Sequence, residues 1–575
     1  MTNITYTVSI TNPQLHLFDV ELKIDKWKKK QLNLKMPVWT PGSYLVREYA
    51  RHLQNFQVKG NKQNNLSYQK KTKNHWLIET DNETTINVKY QIYANELTVR
   101  TNHLDETHGF FTGAALFLYV PNFENNPFKV VINSPEKDWK ITTSLPKITE
   151  ENNSFFAENF DCLVDSPFEI GLQKQYDFTV ENKPHQWIIW GNGNIDAKRV
   201  IEDTKKIIET ESKIFSGLPY EDYKFILHLS ASGFGGLEHK NCCVLNYPRF
   251  AFKKEEKYYR FMQLVAHEFF HLWNVKRIRP KALEKFDYDQ ENYTTSLWFS
   301  EGTTSYYDIL IPLRAGIYNR STFLDLLSKD ISNYLNISGR KIQPLAESSF
   351  DAWIKLYRRD AYSNNNQISY YLKGELVTLL LDLMIRKNSG NQKSFDDVMA
   401  IMWDKFGKKE IGFTPEELKT EIEKVANTNL KEFFHLYLET TEEIPFNQYF
   451  EPFGLVLRGK KEDNDCPYLG LTVQKEGCIE KITFVEANSP AGKAGVDAGD
   501  ELLAIDGFRV TSETLSERLQ DYRAGDAIAL TIFHQEELKT VKIKLAPPQA
   551  SSYQVTVMKN LTKAQKENLH SWLGR

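Results

Sequence analysis

Apolar and polar positions alternate with period two through much of the first 172 residues. Residues 6–10, 85–93 and 128–132 each put Ile, Val, Tyr or Phe at every position of one face and mostly polar residues on the other, the pattern of half-buried strands. Asn12-Pro13 and Pro41-Gly42 punctuate these runs. Strands at this spacing predict an all-β, sandwich-like domain over residues 1–172. The pattern then changes. A helical period covers 195–215, a strand 223–229 and another short strand 242–245, with Gly233-Phe234-Gly235-Gly236 between them as a flexible corner. Helical stretches follow at 256–273, 301–314, 322–336, 369–387, 395–405, 415–425 and 430–438. Strands first and helices afterwards predict an α+β domain over 173–448. Residues 455–548 return to short strands with glycine punctuation. The tail, 549–575, reads as a strand at 553–557 and a helix at 563–573.

Length agrees with several domains, since 575 residues exceed what one hydrophobic core usually organises. The 72 Lys and Arg against 75 Asp and Glu leave a net charge of −3, which provides no field for nucleic acid or an anionic membrane. Five cysteines at irregular spacing exclude a disulfide framework and a cysteine zinc site. Adjacent Cys242 and Cys243 read as small buried hydrophobes. No stretch approaches the ~20 apolar residues of a membrane span. The start lacks a basic region followed by an apolar run. The expected location is the cytoplasm, or the periplasm if an export signal has been removed.

One motif carries chemistry. His267-Glu268-Phe269-Phe270-His271 falls late in the helical run 256–273. Four helical residues turn about 400°, so both imidazoles leave one face a turn apart, and two neutral imidazoles can meet one zinc ion. Glu268, one residue on from His267, can stand beside the metal without ligating it, where a general base belongs. With 13 His in the chain, chance supplies this pattern in roughly 0.02 chains of such composition. A catalytic zinc keeps one position open, so a third protein ligand is needed. Trp298-Phe299-Ser300-Glu301-Gly302 opens a helix thirty positions after His271. Ser300 as its cap puts Glu301 in the first turn as that ligand.

These pieces, with Trp39-Thr40-Pro41-Gly42-Ser43-Tyr44, Val46-Arg47-Glu48-Tyr49, Gly235-Gly236-Leu237-Glu238-His239 and Tyr370-Tyr371-Leu372-Lys373-Gly374, resemble the glycyl aminopeptidase family of gluzincin metallopeptidases over nearly the whole chain. The resemblance implies a β-rich N-terminal domain, a thermolysin-like catalytic domain and a C-terminal PDZ domain. It also implies one zinc per chain and removal of small N-terminal residues, Gly or Ala. Gly235 and Gly236 would pair with substrate through their backbones. Glu238 would bind the free α-amine by a charge-assisted hydrogen bond, which rejects blocked N-termini. His239 stands where better-known aminopeptidases carry Asn. Tyr371, or its neighbour Tyr370, would donate to the oxyanion. Tyr44 and Arg47 read as turn residues, with substrate contact as the sharper alternative.

Residues 489–507 resemble the PDZ pattern of bacterial proteases, and Tyr468-Leu469-Gly470-Leu471 resembles its carboxylate-binding loop. Such a loop caps a peptide C-terminus while the next strand pairs with the peptide. A degenerate PDZ serving only as packing is the plainer reading. Peptides are therefore the expected partners, and homo-oligomers stay open. The competing functions are a thermolysin-type endopeptidase and a non-catalytic PDZ-bearing scaffold.

Overall fold

The computed structural model describes residues 2–134, 138–460 and 466–574. They gather into two compact units. One comprises Met1–Thr294, Leu310–Ile317 and Met399–Thr414, the other Thr295–Ile309, Tyr318–Val398 and Pro415–Arg575.

The first unit begins β-rich, as the alternation requires. A six-stranded sheet runs in the order Ser154–Ala157, Phe128–Asn133, Asn3–Ser9, Leu17–Asp25, Thr85–Tyr93, Leu53–Lys59. Its inward positions, among them Tyr6, Val8, Val20, Leu22, Ile86 and Val88, join one aromatic-rich core with Trp76, Phe111 and Phe168 from two smaller sheets. Each fully buried Val or Leu contributes about 1.5–3 kcal/mol.

A second sheet in this unit positions the site. Its strands are β1 (Lys174–Val180), β2 (Lys183–Trp190), β3 (Tyr223–Ser230), β4 (Gly235–Glu238) and β5 (Cys242–Pro248). Their order is β1-β2-β3-β5-β4. Strands β2, β3 and β5 are parallel, and β4 pairs antiparallel with β5 at the edge. The segment expected as a flexible corner thus ends as a strand. Its glycines carry no strand propensity, but pairing of Gly235 with Asn246 and Glu238 with Cys243 fixes it. Helix α1 (Ala197–Phe215) connects β2 to β3 and starts where the Asp196 carboxylate accepts from the Lys198 and Arg199 amides, a side-chain N-cap. Helix α2 (Glu255–Phe270) packs on α1, β4 and β5. Cys242 and Cys243 are buried and all five cysteines are free.

The second unit contains a wide π-type turn, Trp298–Gly302, and the start of α3 (Thr303–Arg314), whose residues from Leu310 on are counted with the first. Ser300 does not cap this helix, contrary to expectation. It lies buried inside the turn, which has already begun at Trp298. Helix α4 (Tyr370–Ser389) is buried on nearly all sides, is capped by Ser369 and ends at Gly390 in the left-handed region. The C-terminal strands Leu471–Glu476, Ile479–Val485, Glu501–Ile505, Ala527–His534 and Glu537–Lys544 form a sheet in that order around their own core of Ile482, Leu502, Ile505, Leu530 and Ile543. The expected tail is present: Tyr553–Val557 pairs with Leu455–Gly459, and Lys563–Leu573 is helical behind a Thr562–Gln565 capping box. Among the described residues no helix is long and apolar enough to cross a membrane.

Candidate active site

Phe261, Met262, Val265, Phe269 and Phe270 bury one side of α2. His267 and His271 leave it with ring centroids 4.6 Å apart and planes at 88°. His271 ends the helix, and its Nδ1–H donates to the Asn274 carbonyl at 2.6 Å. That bond fixes the tautomer and leaves Nε2 as the ring nitrogen able to act as a ligand. The segment beyond is held by Trp273, stacked on Phe215 at 4.4 Å. Arg277 donates to the carbonyls of Leu272, Lys240 and Pro219. Arg277 therefore ties the end of the histidine helix to the turn that follows Glu238.

Strand β4 lies against α2 so closely that a Cβ on Gly236 would come within 2.2 Å of the Glu268 carboxylate. Two residues on, Glu238 is only 3% exposed, and its Oε1 has no hydrogen-bond partner. A buried carboxylate oxygen left this way is costly and marks a place for a cation. Glu238, Glu268 and His271 each offer a ligand atom within 4.8 Å of the others. The Pro41-Gly42 turn of the N-terminal β-rich part covers Glu238. Gly42 has φ +85°, and a Cβ there would sit 2.5 Å from Glu238 Oε1, so only glycine meets both demands. Beside it is a cavity of about 20 Å³ walled by Trp39, Tyr44, Leu283, Phe286 and Glu238. Tyr44 therefore borders the site, whereas Arg47 donates to the Ser43 hydroxyl of its own turn. His239 points the other way, to Asp165, which also takes Lys276. The Lys276 charge and the hydrogen bond with His239 hold the Asp165 carboxyl well below its usual range despite burial.

Glu301 is buried in the π-type turn. Gly302 and Gly374 bring that turn onto α4. A Cβ on Gly302 would lie 2.5 Å from Gly374 Cα, and one on Gly374 would lie 2.7 Å from the Trp298 carbonyl. The Tyr371 hydroxyl meets that of Tyr357 at 3.0 Å, and Tyr370, fully buried, reaches the same Tyr357 hydroxyl at 3.3 Å. Burial, and after it the charge of Glu301, push the Tyr371 phenol well above its ordinary pKa. It stays protonated and can donate. Two imidazoles and a carboxylate are a donor set suited to zinc with an open position.

Comparisons with known proteins place the chain in a family. The description "Peptidase M61 N-terminal domain" matches residues 5–172, "M61 glycyl aminopeptidase" matches 260–377, and "PDZ domain" matches 467–545. A crystal structure of an aminopeptidase N family protein from Idiomarina loihiensis is 30% identical, covers 99% of this chain and 100% of its own, and superposes with a TM-score of 0.93. This chain belongs to the M61 glycyl aminopeptidase family. It is a metallopeptidase carrying a PDZ domain. An M1 zinc metallopeptidase from Deinococcus radiodurans is far more distant, at 12% identity over 77% of this chain and 95% of its own with a TM-score of 0.47. A carboxy-terminal-processing protease from Bartonella bacilliformis is 38% identical over 79 residues, which are 13% of this chain and 18% of that protein.

Sequence reasoning missed three residues around the M61 site. Tyr357 shares the hydroxyl cluster of Tyr370 and Tyr371. Arg277 reaches the carbonyls of Lys240 and Pro219, far from it in the chain. Arg100 donates through Nη2 to the Gly236 carbonyl at 2.9 Å, and nothing in its local sequence signals a contact 136 positions away.

Proposed function

We propose that this M61 enzyme is a zinc aminopeptidase that removes small N-terminal residues, glycine or alanine, from peptides. His267, His271 and Glu301 hold the ion, one per chain. When bound, zinc polarises the scissile carbonyl and acidifies water. Glu268 takes the proton of the attacking water and returns one to the leaving amine. The Tyr371 hydroxyl donates to the developing oxyanion. Glu238 receives the substrate ammonium, and the backbones of Gly235 and Gly236 pair with the extended substrate. The snug cavity beside Glu238, walled by Trp39, Tyr44 and Phe286, favours a small first side chain.

The observation that carries the exopeptidase reading is the buried Glu238 carboxylate, whose Oε1 has no hydrogen-bond partner and one of whose oxygens lies within 4.8 Å of donor atoms of Glu268 and His271. An endopeptidase has no use for an anion there. The test is hydrolysis of glycyl and alanyl peptides with free and acetylated N-termini, each with and without chelator. Chelator-sensitive cleavage restricted to the free amine supports the reading. Equal cleavage of acetylated peptides would replace it with an endopeptidase.

For the PDZ domain we propose that Tyr468, Leu469, Gly470 and Leu471 receive a peptide C-terminus. Leu471–Glu476 is the first strand in its sheet order and pairs on one side with Ile479–Val485, which suits strand addition on its other side. We take 1–172, 173–448, 455–548 and 549–575 as the N-terminal, catalytic, PDZ and tail portions.

A further inference from the structure

Three contacts set out one axis where β4 lies along α2. At one end, Glu238 offers a ligand atom within 4.8 Å of those of Glu268 and His271. Two residues back along the strand, a Cβ on Gly236 would meet the Glu268 carboxylate. Further back, the guanidinium carbon of Arg260 lies 4.2 Å from the centre of the Phe234 ring. Strand and helix therefore run side by side in the same direction. Four residues of extended chain cover about 13 Å, and the helix from Arg260 to His271 rises about 16 Å. The Phe234–Arg260 pair thus stands on the far side of Glu268 from Glu238. A peptide with its ammonium at Glu238 and its first peptide bond over Glu268 continues toward that pair.

Tyr247 holds both halves of the pair in place. Its ring is 5.9 Å from that of Phe234, and its hydroxyl donates to the Lys257 carbonyl at 2.6 Å, one turn before Arg260. Tyr247 itself packs on Phe252 and Phe261, with ring centroids 5.6 and 5.0 Å away. On this fixed corner Phe234 is 51% exposed, and Arg260 is exposed as well. Among the described residues the Arg260 guanidinium makes no hydrogen bond and no ion pair, and its contact is the Phe234 ring. A guanidinium laid on an aromatic face keeps its N–H donors in one plane, and a carboxylate matches that fork.

We infer that Phe234 and Arg260 form a subsite for a carboxylate carried by the third or fourth residue of the substrate, with Arg260 as its specificity residue. This rests on the aminopeptidase reading, in which Glu238 takes the ammonium and Glu268 serves the first peptide bond. Reach sets the position. The second residue of an extended peptide ends about 7 Å from the ammonium, near Gly236, whereas the third and fourth extend to about 10–13 Å, where the pair stands. Two groups carry this chemistry there: the C-terminal carboxylate of a tri- or tetrapeptide, and the side chain of Asp or Glu within a longer one.

The test measures kcat/KM for di-, tri- and tetraalanine, each as the free acid and as the C-terminal amide, and for Ala-Ala-Ala-Asp amide against Ala-Ala-Ala-Asn amide. In the wild type the acid-to-amide ratio is expected near one for dialanine and about 5- to 10-fold for tri- or tetraalanine, below the worth of a buried charged hydrogen bond because the pair is exposed. The preference appears in KM and shrinks at high salt. In Arg260→Met the ratio falls toward one, and in Arg260→Lys it is intermediate, because charge remains without the fork. The Asp–Asn pair distinguishes the two sources of carboxylate: a preference for Asp that Arg260→Met removes adds side chains to the subsite's ligands, and its absence restricts them to the C-terminus. Ratios near one for every acid and for the Asp–Asn pair overturn the inference and leave the aminopeptidase reading intact. A preference unchanged in Arg260→Met, or as large for dialanine as for tetraalanine, also overturns it. Failure to cleave any of these free-amine peptides overturns both. The wild-type ratios need no variant, so a misfolded substitution does not protect the proposal.

Discussion

Gly236 stands so close to Glu268 that its missing side chain is the space the carboxylate occupies: a Cβ there would fall 2.2 Å from Glu268 Cδ and Oε1. The strand that lines the substrate path and the helix that carries the proposed base are in contact at this point. Gly236→Ala should displace the carboxylate by an ångström or more. Such misplacement costs about 100-fold in rate, so kcat should fall by that factor with bound metal unchanged. Near wild-type kcat in a metal-replete variant would show that Glu268 tolerates displacement and is not the base.

Glu268→Gln should preserve shape and metal binding while removing the proton acceptor. Turnover should fall by about 10²- to 10⁴-fold, the usual contribution of a positioned acid–base group. Steady-state rates read alongside metal content check this. Full activity would refute the assignment.

Glu238→Ala should act on binding. The KM for free-amine peptides should rise about 10- to 100-fold, the worth of a charged hydrogen bond, and discrimination against acetylated peptides should shrink. If the KM for free-amine substrates stays where it is, Glu238 is not the amine anchor.

The contact between Gly302 and Gly374 links the Glu301 turn to the tyrosine helix. Gly374→Ala puts a methyl 2.7 Å from the Trp298 carbonyl. Overpacking of this kind costs about 1–3 kcal/mol, and here it also shifts the turn that carries Glu301. Thermal unfolding should show a lower Tm, and zinc titration a weaker affinity. Wild-type values for both would mean that the turn relaxes freely.

Acid should destabilise the enzyme from near pH 6.5 downward. Burial lowers the pKa of His185 and of His103 to about 4. Between those values and about 6.5 the unfolded chain binds protons that the native chain does not, so stability is full above 6.5 and is lost as pH falls toward 4. For buried His185 the shift is worth on the order of 3 kcal/mol. Glu169, whose carboxylate accepts from His108 at 2.8 Å and His228 at 2.9 Å, is lowered to about 2. Its contribution is complete above 4.5 and disappears as pH falls from there toward 2. Melting temperatures from pH 7.5 to 4.5 should decline, and His185→Gln should flatten the slope. A pH-independent Tm in the wild type would contradict this account.

The residues readable from sequence are those whose chemistry is local. His267, Glu268 and His271 share one helical turn, so their spacing alone implies a common face. The alternation through 85–93 likewise fixes which side chains enter the core. Glu301 was readable as a residue type in a motif, but its π-type turn was not, because the backbone widens to fit the α4 surface at Gly374. The β4 segment looked like a loop because glycine has no strand preference, and pairing with β5 supplies what propensity does not. Arg100, Tyr357 and the placement of Gly42 over Glu238 depend on contacts between distant segments, for which the chain carries no local periodic signal.

The central claim is that two imidazoles of α2 and the Glu301 carboxylate share one zinc ion. Zinc K-edge absorption of protein loaded to one equivalent tests it most directly. The account predicts two imidazole nitrogens at about 2.0–2.1 Å with oxygen completing the shell, and loss of that signature in His271→Ala. A sulfur shell near 2.3 Å, or an unchanged spectrum in His271→Ala, would contradict it.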